Sequence, residues 1–159
     1  MSRKIDTLLE EYGVSHKNET NKAIHWICVP LIFWSIVALL YSIPNTQLQS
    51  ILGANFFSNW ASIALLLVSI YYMSLSRSLA IGMFAFSIIC VHLCEFLETY
   101  MQVPLWQTSL VVFVLAWIGQ FYGHKVEGKK PSFLKDLQFL LIGPGWLLHF
   151  IYKRLEIKY

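Results

Sequence analysis

The stretch that decides the fold is residues 24–43, which read IHWICVPLIFWSIVALLYSI. This segment contains no Asp, Glu, Lys or Arg. A helix rises about 1.5 Å per residue, so a helix of this length is about 30 Å long and matches the hydrocarbon core of a bilayer. Residues 24–43 therefore predict a membrane-spanning helix.

Three further apolar runs follow, and all of them lack Lys and Arg: residues 56–75, 78–96 and 103–122. The whole chain is 57% hydrophobic and only 13% charged, whereas soluble domains carry about 25% charged residues. A chain of 159 residues is too small to hide this excess of apolar surface in a water-soluble core. The sequence therefore predicts a single all-α integral membrane domain over residues 1–159, with about four spans.

The two ends of the chain differ from the spans. Ile5, Leu8, Leu9 and Tyr12 recur at helical spacing in a polar segment, which predicts a short N-terminal amphipathic helix ending near Gly13. Near the other end, residues 137–151 form an apolar run of fifteen residues that Gly-Pro-Gly interrupts. Such a run is too short and too broken to span a membrane, so we expect a re-entrant or interfacial helical segment.

The distribution of positive charge predicts the orientation. All twelve Lys and Arg residues lie before residue 24, at Arg77, or after residue 122. The intervening loops, residues 44–55 and 97–102, contain none. By the positive-inside rule, both termini are expected on the cytoplasmic side, in a bacterial inner membrane or the endoplasmic reticulum. The basic residues fit this topology, and no nucleic-acid-binding motif accompanies them.

The polar residues of greatest interest are five histidines: His16, His25, His92, His124 and His149. Four of them map to the cytoplasmic face, whereas His92 lies about 21 Å deeper along its predicted helix. Neutral imidazole is a common ligand for iron, zinc and copper. The spacing is therefore consistent with a shared metal site, although histidines that merely favour the membrane boundary would give the same pattern.

Two neighbours have a suitable spacing to support such a site. Asn21 precedes His25 by four residues and Glu127 follows His124 by three, so each pair shares a helix face. We expect these polar groups to orient the imidazoles, as the outer shell of a metal site does. Cys90 and Cys94 also lie near His92, but such cysteines are more often packed against neighbouring helices.

These residues also carry a family resemblance, which extends from Tyr12 to about Lys153. The first signature comprises Tyr12, His16, Asn21, Ile24-His25 and Val29-Pro30-Leu31. The second comprises Gly119-Gln120-Phe121-Tyr122-Gly123-His124, followed by Glu127, Lys129-Lys130-Pro131 and Gly143-Pro144. Together they resemble the membrane-bound 2-hydroxy fatty acid dioxygenases.

The resemblance implies an Fe2+-dependent α-oxidation, in which O2 shortens a 2-hydroxy fatty acid by one carbon and carbon dioxide is released. It implies His16, His25 and His124 as catalytic metal ligands, with Asn21 and Glu127 beside the cofactor. His149 stands where many members have a glutamate, and we expect it to be the fourth ligand. The acyl chain is expected to remain among membrane lipids while its polar head reaches the site, where Lys129 or Lys130 would attract the carboxylate.

Two other functions are compatible with the same residues. A bis-histidine haem-binding electron carrier would use two histidines from different helices as axial ligands. A non-catalytic lipid-binding membrane adaptor would have histidines that are merely interfacial.

Overall fold

The computed structural model describes residues 3–128 and 139–159, which form α-helices joined by turns and contain no strand. In chain order the helices are α1 (Lys4–Gly13), α2 (Glu19–Tyr41), α3 (Thr46–Leu52), α4 (Trp60–Leu75), α5 (Arg77–Tyr100), α6 (Leu105–Val126) and α7 (Ile142–Arg154). The predicted all-α fold is confirmed, as is the N-terminal helix ending at Gly13. Residues 129–138, which include Lys129, Lys130 and Lys135, lie outside the described residues.

Helix α2 is the central element of the bundle and contacts α4, α5, α6 and α7. Asn18 begins it, because its side chain accepts hydrogen bonds from the backbone N–H groups of Thr20 and Asn21. Such a cap is worth about 1 kcal/mol. The helix then continues through Pro30 to Tyr41, so its first turns and its membrane segment form one continuous element.

The most extensive helix contact is between α2 and α6, and two glycines of α6 permit it. A Cβ atom at Gly119 would lie 2.7 Å from Cys28 Sγ, and one at Gly123 would lie 2.4 Å from Asn21 Oδ1. Small residues four apart let helix backbones approach closely within a membrane. The two helices are therefore held side by side along the segments that carry His25 and His124.

Helices α2, α5 and α6 are long and apolar enough to cross a membrane. The expected second span is shorter than predicted, because α4 has 16 residues and is only about 24 Å long. It begins at Trp60, where the Asn59 side chain accepts a hydrogen bond from Ser62 N at 2.8 Å. The expected linker before it contains a short helix, α3, which the sequence analysis did not predict.

The last apolar run differs from the expectation at its interruption. Helix α7 begins at Ile142, so Gly143, Pro144 and Gly145 form its first turn instead of breaking its middle. Proline is tolerated there because its missing N–H would have no partner within the helix. Residues 137 and 138 of the predicted segment lie outside the described residues, and α7 packs against α1, α2 and α5.

A buried tyrosine joins α4 to the start of α7. The Tyr72 side chain is fully buried, its hydroxyl donates to the Leu141 carbonyl, and it accepts a hydrogen bond from Gly145 N at 3.1 Å. A Cβ atom at Gly145 would lie 2.6 Å from this hydroxyl. The tyrosine therefore fixes where α7 begins, and with it the residues that α7 presents to α1 and α2.

We expect Tyr72→Phe to destabilise the protein by about 1–3 kcal/mol, because two buried backbone groups lose their partner. Thermal unfolding in detergent measures the change. Tyr71→Phe is the matched control, since the adjacent Tyr71 side chain packs against the core without a comparable hydrogen bond among the described contacts. Equal unfolding temperatures for the two variants would contradict this role of Tyr72.

Candidate metal centre

Three histidines from distant parts of the chain meet at one point. His16 lies between α1 and α2, His25 in the second turn of α2, and His124 in the last turn of α6. One ring nitrogen from each lies within 4.8 Å of the others, and no other group of three or more potential ligands occurs in residues 3–128 and 139–159. The three side chains are buried, with at most 5% exposed.

The three imidazole rings are in direct contact. The ring centroids are 4.2 Å apart for His16 and His25, 5.1 Å for His25 and His124, and 5.5 Å for His16 and His124. Positive charges at such separations repel strongly when shielded from water, so the cluster cannot hold three imidazolium ions without a large cost. Neutral imidazole is also the form that binds metal ions.

Backbone carbonyls fix the orientation of two rings. His16 Nδ1 is 2.6 Å from the Tyr12 carbonyl oxygen, and His25 Nδ1 is 2.9 Å from the Asn21 carbonyl oxygen. A carbonyl only accepts, so in both neutral rings Nδ1 carries the proton and Nε2 carries the lone pair. The backbone of Asn21, rather than its side chain as expected from the sequence, thus holds the His25 ring.

The second ring nitrogen of His25, Nε2, is buried without a well-formed hydrogen bond within the described residues. The Gln120 side chain lies nearby. A buried polar atom in this state is costly unless it has a ligand or partner. The donor set therefore fits a metal ion, because all three residues are imidazoles and His25 Nε2 is a buried nitrogen without a well-formed hydrogen bond in the described part of the chain.

Aromatic side chains cover the cluster. The Tyr12 ring stacks on His16 at a centroid distance of 4.3 Å and an interplanar angle of 10°. Trp146 of α7 lies 5.2 Å from the same His16 ring, and both aromatic residues are buried. These contacts keep water away from the imidazoles and restrict the motion of His16, which no helix holds.

Glu127 ties the loop that carries His16 to the end of α6. Its carboxylate accepts hydrogen bonds from the backbone N–H groups of Lys17 and Asn18, each at 2.9 Å, and from Asn21 Nδ2 at 3.0 Å. Asn21 Nδ2 also donates to the Ser15 carbonyl. Glu127 and Asn21 therefore hold the two residues that flank His16 on either side, which places that histidine beside the other two.

The same contacts determine the charge state of Glu127. Partial burial raises the pKa of its carboxyl group, but the hydrogen bonds from Asn18, Asn21 and Lys17 outweigh that effect, so the pKa lies below its ordinary value. The ionised form is the one that the donors stabilise.

The structure does not bring His149 into the three-histidine group. Its Nδ1 lies against the Tyr159 hydroxyl, whereas Trp146, three residues earlier on α7, lies beside His16. Burial and the nearby Lys153 lower the pKa of the His149 imidazole. The role of His149 as a fourth ligand therefore stays a prediction.

His92 lies apart from the cluster, as the sequence analysis expected. Its exposed side chain contacts the Ile88 carbonyl and the Phe56 ring. The nearby Cys90 and Cys94 are buried in the main hydrophobic core and belong to no group of potential ligands in the described chain.

Sequence reasoning missed two features of the site. Gly119 and Gly123 were noted only as part of a signature, although the Gly-x-x-x-Gly spacing itself indicates a close helix contact. Gln120 is buried beside His25. A polar residue within an apolar span, one turn before His124, was the signal that could have identified it.

Comparison with known proteins gives one match. A family model described as "2-hydroxy-palmitic acid dioxygenase Mpo1-like" matches residues 2–155. This range contains all three clustered histidines and Glu127. No curated protein and no solved structure shows significant similarity to the chain.

The lowered pKa of Glu127 has a consequence for stability. Because the folded-state pKa is depressed, the carboxylate stabilises the fold above its unfolded-state pKa, and this contribution is lost as the pH falls through the folded-state pKa. We therefore expect Glu127→Gln to lower the unfolding temperature at pH 7, and the difference from wild type to shrink as the pH falls below about 4.

Thermal unfolding of both proteins between pH 7 and pH 3.5 measures this effect. Glu11→Gln serves as the control, because the Glu11 side chain is exposed and its replacement removes a charge without breaking a hydrogen bond given by the structure. A pH-independent difference between wild type and Glu127→Gln would show that the hydrogen bonds do not depend on the ionised carboxylate.

Proposed function

Because the chain belongs to the 2-hydroxy-palmitic acid dioxygenase Mpo1-like family, we propose that it is a membrane-embedded, Fe2+-dependent dioxygenase acting on 2-hydroxy fatty acids. The reaction converts R–CH(OH)–COOH and O2 into R–COOH, carbon dioxide and water. Its product is one carbon shorter, and every atom of O2 is accounted for. The observation that carries the proposal is the convergence of His16, His25 and His124, whose donor nitrogens lie within 4.8 Å of one another.

The spacing of the donors supports a single ion. Metal–nitrogen bonds are about 2.1 Å long, so three nitrogens arranged evenly around one ion are about 3.6 Å apart. The three donor nitrogens lie within 4.8 Å of one another, so the rings would have to move inward by about 1 Å or less to bind one ion. His16, His25 and His124 would hold a ferrous ion through neutral imidazole nitrogens, and the bound ion would supply the redox chemistry that a reaction with O2 requires.

The protein's own residues prepare this site before any ion binds. The carbonyls of Tyr12 and Asn21 hold His16 and His25 in the required tautomer. Tyr12 and Trp146 cover His16, and Glu127 holds the loop in place. Supporting contacts of this kind typically change metal affinity 10- to 100-fold.

We further propose that the chain crosses the membrane four times, with both termini in the cytoplasm. Helix α4 would then be a short fourth crossing, and α7 would lie at the cytoplasmic interface. The positive-inside distribution supports this arrangement, as do the exposed apolar side chains of α4, α5 and α6, such as Leu66, Ile81 and Leu115. The histidines lie at the cytoplasmic ends of α2 and α6, where a fatty acid can present its carboxylate while its chain stays in lipid.

The geometry argues against the haem-binding alternative. In a bis-histidine haem protein the macrocycle lies between the two axial rings. Here each pair of rings is already in contact, with centroid distances of 4.2–5.5 Å, and all three are buried in the same cluster. A haem would therefore require the cluster to be taken apart.

We expect purified protein to contain one iron ion per chain, and His25→Ala and His124→Ala each to lose it. His92→Ala is the matched control, because His92 lies outside the cluster. Metal analysis gives the iron content, and an oxygen electrode with mass spectrometry follows the conversion of 2-hydroxypalmitate to the acid that is one carbon shorter. Iron retained in both cluster variants would refute the proposed site.

Metal replacement separates binding from chemistry. Apoprotein reloaded with ferrous ion should consume O2 with 2-hydroxypalmitate, whereas the zinc-loaded protein should not, because zinc has no redox chemistry. Equal activity of the iron-loaded and zinc-loaded proteins would contradict an iron-dependent oxidation. A wild-type protein with neither metal nor activity would support the non-catalytic adaptor.

We expect His149→Ala to retain iron and most of its activity, since the His149 side chain lies against Tyr159 and outside the three-histidine group. Loss of iron in this variant, measured beside His92→Ala, would show that α7 rearranges on metal binding and supplies the fourth ligand.

A further inference from the structure

A small cavity lies beside the three histidines, between α1, α2, α6 and α7. Its volume is about 20 Å³, and its walls include Tyr12, Val29, Ile32, Trp117, Gln120 and Gly143. It is separate from the larger grooves on the outside of the helices, which are lined by other residues.

The position of this cavity follows from helix geometry. Val29 follows His25 by four residues and Gln120 precedes His124 by four, so each lies one turn, or about 6 Å, deeper on the same face. The third wall is Tyr12, whose ring stacks on His16. Each clustered histidine therefore has a cavity-lining residue as its direct neighbour, and the cavity continues the histidine cluster toward the membrane interior.

The size of the cavity limits what it can hold. A volume of about 10–15 Å³ accommodates one water molecule, so the space suits a molecule of one or two heavy atoms and is too small for an acyl chain. Val29, Ile32 and Trp117 make most of the wall apolar, while Tyr12 and Gln120 add polar groups. A small neutral molecule therefore suits the cavity better than an ion, and xenon binding distinguishes an apolar occupant from a water molecule.

We propose that this cavity holds dioxygen next to the histidine cluster during the reaction. The proposal rests on the proposed function, which requires O2 and a fatty acid at one site. Because the cavity is too small for the fatty acid, the two substrates would occupy different spaces, with O2 on the side of Val29 and Gln120. The cavity would raise the local concentration of O2 beside the metal-binding nitrogens while the walls exclude bulk water.

Gly143 offers a direct way to fill the cavity. A Cβ atom there would lie 3.0 Å from Val29 Cγ1 and 3.2 Å from the Tyr12 hydroxyl oxygen, so the added methyl group occupies the space between them. Gly13→Ala is the matched control, because the same addition at Gly13 meets only Trp146 Nε1, at 3.6 Å, and leaves the cavity open.

We expect Gly143→Ala to raise the KM for O2 about tenfold, since even a diatomic ligand gains that much from a fitted site, and to leave the KM for 2-hydroxypalmitate unchanged. It should also abolish the binding of xenon, a probe of small apolar cavities, measured by xenon NMR on the same protein. Val29→Ile fills the cavity from the opposite wall and carries the same expectation if Gly143→Ala does not fold.

A compensating change makes the test specific. Val29→Ala removes the methyl carbons that the new side chain at position 143 would contact, so Val29→Ala combined with Gly143→Ala should recover xenon binding and a lower KM for O2. Gly13→Ala should behave as wild type in both measurements.

The outcomes separate the two proposals. Suppose that wild type is active, but that Gly143→Ala and Val29→Ile change neither the KM for O2 nor xenon binding, or raise only the KM for the fatty acid. The cavity proposal then fails and the dioxygenase proposal stands. A cavity that binds xenon in a protein that consumes no O2 with 2-hydroxypalmitate would overturn both.

Discussion

The close contact between α2 and α6 is the constraint on which the rest of the structure depends. Gly119 and Gly123 leave room for Cys28 and Asn21 of the opposite helix, and no larger residue at either position fits without a shift. This approach places His25 beside His124, and it also brings Asn21 within reach of Glu127. The histidine cluster and the polar contacts that support it therefore arise from one packing interface.

Burying three imidazoles costs free energy, and three kinds of contact offset part of this cost. Two backbone carbonyls satisfy ring nitrogens, stacking on Tyr12 supplies van der Waals contact, and Glu127 binds the loop backbone. One buried polar atom remains costly, because His25 Nε2 makes no well-formed hydrogen bond within the described residues, and buried polar atoms normally have a partner. This remaining cost supports the proposal that the cluster binds a ligand.

Much of this arrangement could be predicted from the sequence, for reasons that differ between residues. The apolar runs predict helices because lipid requires internal hydrogen bonding, and the positive-inside pattern assigns His16, His25, His124 and His149 to one membrane face. The structure brings together the first three, and their roles as ligands remain predictions.

The parts that could not be predicted depend on tertiary contacts. Asn59 decides where α4 begins, and Tyr72 decides where α7 begins and hence that Trp146, not His149, lies beside the cluster. The contact of Glu127 with Lys17 joins residues 110 positions apart, which no local pattern reveals.

That long-range contact has a consequence for the biogenesis of the protein. His16 is synthesised early and His124 late, so the cluster cannot form until the helices between them have been inserted and α6 has docked on α2. An ion that binds all three histidines would stabilise only the completed bundle and would draw the insertion equilibrium toward it by mass action. If the proposed ion binds, only molecules in which α6 has paired with α2 would retain it.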